Sequence, residues 1–252
     1  MCLVLFSYQP ETECPLVVAA NRDEFYARPA RSAHYWDDRP NLLAGRDLSA
    51  QGTWLGVSRT GRFATVTNFA EDSGEAAPRS RGELPELFLA GTASAHDFAH
   101  HVDGPQYRGF NLLLWDGQQL VYSSNRGTTQ DLPPGTYGLA NAELGASWPK
   151  VVRGVEALDS LLDDSTGDGP LRDRLLALLA DDSAPPDELL PRRGRPLELE
   201  RRVAPCFIRG TDYGTRASTA VIMGRNQICF AEQGYGPGGA LLDRADFHLP
   251  TI

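Results

Sequence analysis

The sequence predicts an α+β fold in which mainly antiparallel sheets stack face to face between helical layers. Three observations carry this. Short apolar runs come in pairs joined by polar turns, several runs are apolar on both faces, and two blocks carry leucine at helical spacing. Strands joined by short turns pair antiparallel. Strands apolar on both faces need cover on both sides, which stacked sheets with outer helices supply.

Residues 2–8 and 15–20 flank Gln9-Pro10-Glu11-Thr12-Glu13, a polar turn containing proline. Residues 53–58 and 62–68 flank Arg59-Thr60-Gly61. A first helical block is expected over about 82–103. Residues 109–115 and 119–124 form a third hairpin around Asp116-Gly117-Gln118. A second helical block, about 148–190, places Leu158, Leu161 and Leu162, then Leu171, Leu175, Leu176 and Leu179, on helical faces. Residues 217–224 and 227–232 form the last hairpin. Stretches 71–80, 163–170 and 181–187 read as flexible, and 191–202 as a solvated connection. None forces a boundary, so 1–252 is expected to be one domain.

The net charge of -9 argues against a nucleic-acid partner and against docking on an anionic membrane. The four cysteines, Cys2, Cys14, Cys206 and Cys229, have no zinc-like spacing. No secretory signal, lipidation motif or membrane-length apolar run is apparent. The expectation is a cytoplasmic protein with free thiols and no integral membrane association. Lys150 is the only lysine, so Schiff-base chemistry has one candidate.

The first hairpin brings chemistry together. With its centre near Glu11 or Thr12, paired residues sum to 23 or 24, so Cys2 falls opposite Asn21 or Arg22. Asp23 and Glu24 follow directly. The same arithmetic sets Asn68 beside Gly52. Removal of Met1 would leave Cys2 with a free α-amine of pKa roughly 7.7–8.0, a base for its own thiol. An adjacent guanidinium favours a thiolate, and asparagine amides suit an oxyanion. On spacing alone, a core cysteine beside a structural ion pair is the simpler reading.

The surrounding motifs resemble the NRDE family, also called the transport-and-Golgi-organization family, named for the tetrapeptide Asn21-Arg22-Asp23-Glu24. The likeness extends through Leu43-Ala44-Gly45-Arg46-Asp47, Gly52-Thr53-Trp54, Thr67-Asn68 and Ser80-Arg81-Gly82-Glu83-Leu84. It continues with Gly109-Phe110-Asn111, Tyr137-Gly138-Leu139-Ala140-Asn141, Trp148-Pro149-Lys150 and Tyr213-Gly214-Thr215-Arg216. Gln51 stands where the family usually has glycine, and Ala140 where it usually has serine. The resemblance implies an N-terminal-nucleophile (Ntn) hydrolase-like αββα sandwich. It is similar, more distantly, to the cysteine acylases of that superfamily. By order along the chain, Cys2, Arg22, Asp23, Asn68, Asn141 and Arg216 would be the catalytic set. Asn21, Glu24, Trp54 and Asn111 are then candidate ligand-binding residues.

Two functions follow from the resemblance. One is a cysteine amidohydrolase acting on a non-peptide amide or ester. The other is a non-catalytic carrier of haem or a lipid-like ligand, in a family linked to Golgi organisation, secretion and haem trafficking. Either takes a small-molecule ligand or substrate; no cofactor is required, and haem enters only as a candidate bound ligand. Other signals favour ordinary structure: Cys14-Pro15 follows a turn, and His96 and His100 at i, i+4 lack a third metal ligand. Gly234, Gly236, Gly238 and Gly239 follow the last expected strand without a phosphate-loop pattern. Trp36, Trp54, Trp115 and Trp148 are expected in the core or a pocket wall.

Overall fold

The first hairpin sets the register of the whole molecule. Strand β1 (Cys2–Tyr8) pairs antiparallel with β2 (Leu16–Phe25), and Cys2 lies directly opposite Arg22. In the computed structural model, which describes residues 2–71, 76–164 and 170–250, β2 runs beyond the expected 15–20. The Asn21–Glu24 tetrapeptide is therefore strand. The cause is β11 (Tyr213–Met223), which pairs along the other edge of β2 and satisfies its backbone.

The first sheet has the order β10 (Gly135–Leu139), β1, β2, β11, β12 (Gln227–Tyr235), β13 (Leu241–Pro250). The second runs β3 (Ala30–Trp36), β4 (Arg39–Asp47), β5 (Leu55–Ser58), β6 (Phe63–Asn68), β7 (Phe110–Trp115), β8 (Leu120–Ser124), β9 (Gln130–Asp131). Every strand pairing described is antiparallel.

Alternation along each strand divides the core into three. Val4, Phe6 and Val18 of the first sheet meet Phe63 and Leu113 of the second. On the outer face of the first sheet, Leu3, Leu5 and Ala19 meet Leu158 of α3 (Pro149–Asp163) and Leu175 of α4 (Leu171–Leu178). On the outer face of the second, Ala64, Leu112 and Leu114 meet Leu84 and Phe88 of α1 (Glu83–Ala90) and Ala95 and Ala99 of α2 (Ala95–His100). This is the four-layer αββα arrangement. Cys2 shares parity with Val4 and Phe6, so its side chain points between the sheets.

Several elements differ from the sequence reading. The first helical block splits at Gly91, and α2 starts on a new cap, the Ser94 hydroxyl accepting from the Asp97 amide. Strands β3 and β4 were not expected, because arginine and proline obscure their alternation. Residues 191–202 are not simply a connection: α5 (Leu197–Val203) forms there, with Glu200 buried against Arg193. The glycines at 234–239 do not follow the last strand, since β13 comes after them. Gly52 does not pair with Asn68: β5 begins only at Leu55, and Asn68 pairs with Phe110 instead. The expected flexible stretches 71–80 and 163–170 contain residues 72–75 and 165–169, which lie outside the described residues. Among the described residues, no helix is long and apolar enough to cross a membrane.

Glu232 ties the two sheets. It sits on β12, buried, and its Oε1 accepts the backbone amide of Ala33 on β3 at 2.7 Å. Burial pushes its carboxyl up to about 6 against those contacts. A carboxyl whose folded pKa exceeds its unfolded value penalises the fold while ionised, and the penalty fades as pH falls through about 6. The stability difference between wild type and Glu232→Gln should therefore shift by about 2 kcal/mol between pH 7.5 and 4.5. Urea denaturation at both pH values measures it; a difference independent of pH would refute this assignment.

Candidate active site

The site forms where β1, β2, β6, β10 and β11 end together. Its centre is Asn141, just past β10. The Asn141 Oδ1 accepts the backbone N–H of Cys2 at 3.0 Å, and its Nδ2 donates to the Asn68 carbonyl at 2.7 Å. One carboxamide thus joins the first residue of the first sheet to the last residue of β6 in the second.

The loop carrying Asn141 is itself clamped. The Thr67 hydroxyl donates to the Ala140 carbonyl at 2.7 Å, and the Asn111 amide donates to the Ala142 carbonyl at 2.9 Å. The backbone amide of Ala70 donates to the Asn141 carbonyl at 2.7 Å. Asn111 is fully buried, also bonds Thr67, and accepts from the Tyr122 hydroxyl. Its polar atoms are spent on holding the loop, so it acts on the site by position and not by touching a ligand. The alanine at 140 costs nothing here, because the clamp uses its carbonyl.

Arg22 lies across from Cys2, buried, with its guanidinium 4.3 Å from the centre of the Trp54 ring. Its Nη2 reaches Asp47 at 3.3 Å. Burial alone would raise the Asp47 carboxyl. The hydrogen bond from Arg28, the Ala50 amide, and the charges of Arg28 and Arg22 outweigh it and hold Asp47 below the usual range. Asp47 is therefore a firm counter-charge that fixes Arg22. Trp54 reaches Arg22 because position 45 is glycine: a Cβ on Gly45 would collide with the indole. Gln51, in the same loop, adopts a left-handed conformation (φ 62°), which is why glycine suits that position.

Arg216 enters through a bulge. The β2–β11 register slips between Thr215 and Ala217, leaving Arg216 as the extra residue and re-aiming its side chain. Its Nη1 donates to the carbonyls of Phe25 and Arg28. Burial, and then the like charge of Arg22, lower its pKa. Arg22, Trp54 and Arg216 line a cavity of about 190 Å³, and Arg22 and Trp54 also wall the small cavity at Cys2. The Nε of Arg216 and Nε1 of Trp54 are buried donors without a hydrogen-bond partner among the described residues. Two idle donors beside one cavity are the feature expected of a seat for a ligand's acceptor.

The other candidates separate by strand face. Asn21 and Asp23 leave β2 on the helix-facing side. Asn21 is saturated there, donating to the carbonyls of Leu179 and Cys206 and accepting from the Ser218 hydroxyl. Its work is to anchor the end of α4. The Asp23 carboxylate accepts the Thr215 hydroxyl at 2.7 Å. Burial pushes its carboxyl up, while the charge of Lys150, the Thr215 bond and Arg22 pull it back. Glu24 is half-exposed, with Oε1 on the Phe25 amide at 2.9 Å. The side chain of Asn68 is exposed at the end of β6.

Sequence reasoning missed Arg81, which is half-buried, donates to the Gly109 carbonyl at 3.0 Å, and lies within the electrostatic reach of Cys2. The Ser80–Leu84 motif was its only signal. Among the other thiols, burial pushes Cys206 up to about 12, which makes it inert. His96 and His100 stack at 4.4 Å, and His96 bonds Asp131. Among the described residues, no group of three or more ligands is arranged for a metal.

Comparison with known proteins agrees with this architecture. Residues 1–237 match the family model described as Transport and Golgi organisation 2. The Transport and Golgi organization protein 2 homolog of Bos taurus is 36% identical over 259 residues, covering 92% of each chain. The homolog of Homo sapiens is 32% identical, again over 92% of each. Two solved structures share the fold at very low identity. A mutant conjugated bile acid hydrolase from Clostridium perfringens has a TM-score of 0.55 at 9% identity, covering 98% of this chain and 92% of that one. A Caenorhabditis elegans N-acylethanolamine-hydrolyzing acid amidase ortholog has a TM-score of 0.53 at 8%, covering 88% and 93%.

The clamp on Asn141 is testable without touching Cys2. Thr67→Val removes the bond to Ala140 and leaves a buried carbonyl and one Asn111 donor short of a partner. It should cost about 1–3 kcal/mol in chemical denaturation. A cost near zero would mean that the loop is held by other contacts.

Proposed function

The chain belongs to the Transport and Golgi organisation 2 family, and from that premise we propose that it is a cysteine amidohydrolase of the N-terminal-nucleophile type. It acts on a non-peptide amide or ester, with Cys2 as nucleophile. The observation that carries this reading is the 3.0 Å bond from the Cys2 nitrogen to Asn141 Oδ1. The acceptor is a side chain from the loop after β10, and not the backbone of a neighbouring strand, so it can still orient this nitrogen once it becomes an amine. A nucleophile whose own α-amine is the base needs that.

Removal of Met1 turns this nitrogen into a primary amine. Asn141 accepts one of its N–H bonds and so aims the lone pair. The amine takes the thiol proton, and the sulfur attacks the substrate carbonyl carbon. Arg22, fixed by Asp47 and Trp54, faces the developing thiolate. The oxygen of the tetrahedral intermediate takes its hydrogen bond from the second Nδ2 hydrogen of Asn141, whose first goes to the Asn68 carbonyl. The ammonium returns its proton to the leaving amine or alcohol, giving a thioester. Water, deprotonated by the same amine, then attacks that thioester and releases the acid and the thiol. Asp23 lends negative charge behind the amine from the other face of β2. The cavity lined by Arg22, Trp54 and Arg216 seats a polar portion of the substrate on the idle Nε1 and Nε donors. The two fold neighbours are named as a conjugated bile acid hydrolase and an N-acylethanolamine-hydrolyzing acid amidase ortholog, which supports the reaction class.

Intact-mass measurement after brief exposure to an activated ester tests this. Loss of Met1, followed by one acyl adduct that maps to Cys2 and decays with water, is the expected outcome. A protein that keeps Met1, or acquires no adduct at Cys2, would sink the mechanism and favour the non-catalytic carrier of haem or a lipid-like ligand. Replacing Arg216 by Met should slow decay of a carboxylate ester substrate pool by at least about tenfold in kcat/KM, with Met1 still removed. Unchanged kcat/KM would remove Arg216 from the site.

A further inference from the structure

A second cavity, of about 500 Å³, lies on the opposite face of the first sheet, between α3 and α4. That volume is within the range of small-molecule sites. Its walls are mainly apolar or small: Gly154, Ala157, Ala177, Leu178 and Ala204. Its polar side is formed by Lys150, the only lysine of the chain, with Arg153 and Arg174; Arg174 is engaged by Asp164 and the Leu161 carbonyl.

Lys150 is 6% exposed, yet among the described residues its ammonium makes one hydrogen bond, to the Val203 carbonyl at 3.3 Å. An ammonium has three donors. Among the described residues Lys150 makes no ion pair. The buried carboxyl of Asp23 feels the Lys150 charge, but Asp23 belongs to β2 and accepts the Thr215 hydroxyl. Arg153, one turn along α3 on the same wall, also makes no ion pair among the described residues. Asp181 lines the cavity too, but its carboxylate accepts the Ser183 amide. Two cations without ion-pair partners, one of them buried, thus face an apolar-walled cavity. A buried charge is stable only when a counter-charge or several hydrogen bonds compensate it.

We propose that the α3–α4 cavity binds a carboxylate-bearing amphiphile, with its carboxylate on Lys150 and Arg153 and its apolar body along Ala157, Ala177 and Leu178. The site is separate from the Cys2 cleft, since the first sheet stands between them. The ligand chemistry follows from the walls. The cations call for an anionic head and the apolar walls for an apolar body, and a neutral lipid would leave Lys150 and Arg153 without an ion-pair partner.

Calorimetric titration of the full chain with decanoate, below its critical micelle concentration, tests the proposal. Saturable binding near one equivalent is expected. Lys150→Met and Arg153→Glu should each weaken it by about tenfold or more, 1-decanol should bind more weakly than decanoate, and Cys2→Ala should bind like wild type. Arg153 is exposed, so Arg153→Glu keeps the test valid if Lys150→Met misfolds. Ala157→Trp, which fills the cavity from its edge, should also abolish binding. The proposal is overturned if wild type shows no saturable binding, if Arg153→Glu and Ala157→Trp bind as wild type does, or if Cys2→Ala abolishes the signal.

Discussion

The carboxamide of Asn141 is the constraint on which the site depends. Its Nδ2 donates to the Asn68 carbonyl, its loop is held through backbone carbonyls by Thr67, Ala70 and Asn111, and its Oδ1 holds the first residue of the first sheet. The first residue of a strand would ordinarily fray unless tied down, because the backbone there has few partners. Here Cys2 is fixed on one side by its pairing with Arg22 and at its nitrogen by Asn141. The sandwich thus holds the start of β1 in a fixed position.

The two faces of β2 divide the labour. Arg22 points between the sheets, where Asp47 and Trp54 fix it opposite Cys2. Asn21 and Asp23 point toward the helices. Asn21 binds the end of α4, and Asp23 shares a low-dielectric layer with Lys150. The tetrapeptide is conspicuous in sequence because adjacent residues serve opposite faces, and strand alternation requires them to be consecutive. Between the sheets Arg22 is compensated by Asp47, whereas under α3 the fold leaves Lys150 short of contacts.

Much of this was legible before the structure. The turn at Gln9–Glu13 limited the register sum to 23 or 24, and the observed Cys2–Arg22 pairing selects 24. Strands apolar on both faces correctly implied sheet-on-sheet packing under helices. Illegible were features set by distant chain. Strand β13 is mostly exposed, so it lacks the apolar run that marks a buried strand. The reach of Arg216 depends on a one-residue bulge, which no periodicity announces. Asn141 could be nominated by order and residue type, but whether it serves an oxyanion or an amine depends on which atoms surround it. Asn111 and Asn21 were nominated as ligand contacts because asparagine suits either task; only their saturated hydrogen bonds identify them as supports.

The central claim is that Asn141 arms Cys2 by orienting its amine. The rate at which Cys2 is alkylated by iodoacetamide at neutral pH, read by peptide mapping in wild type and in Asn141→Leu, tests it most directly. The account predicts a fall of at least about tenfold in the variant, with Cys14 and Cys229 labelled at their wild-type rates. Equal rates at Cys2 in a folded Asn141→Leu protein would contradict it.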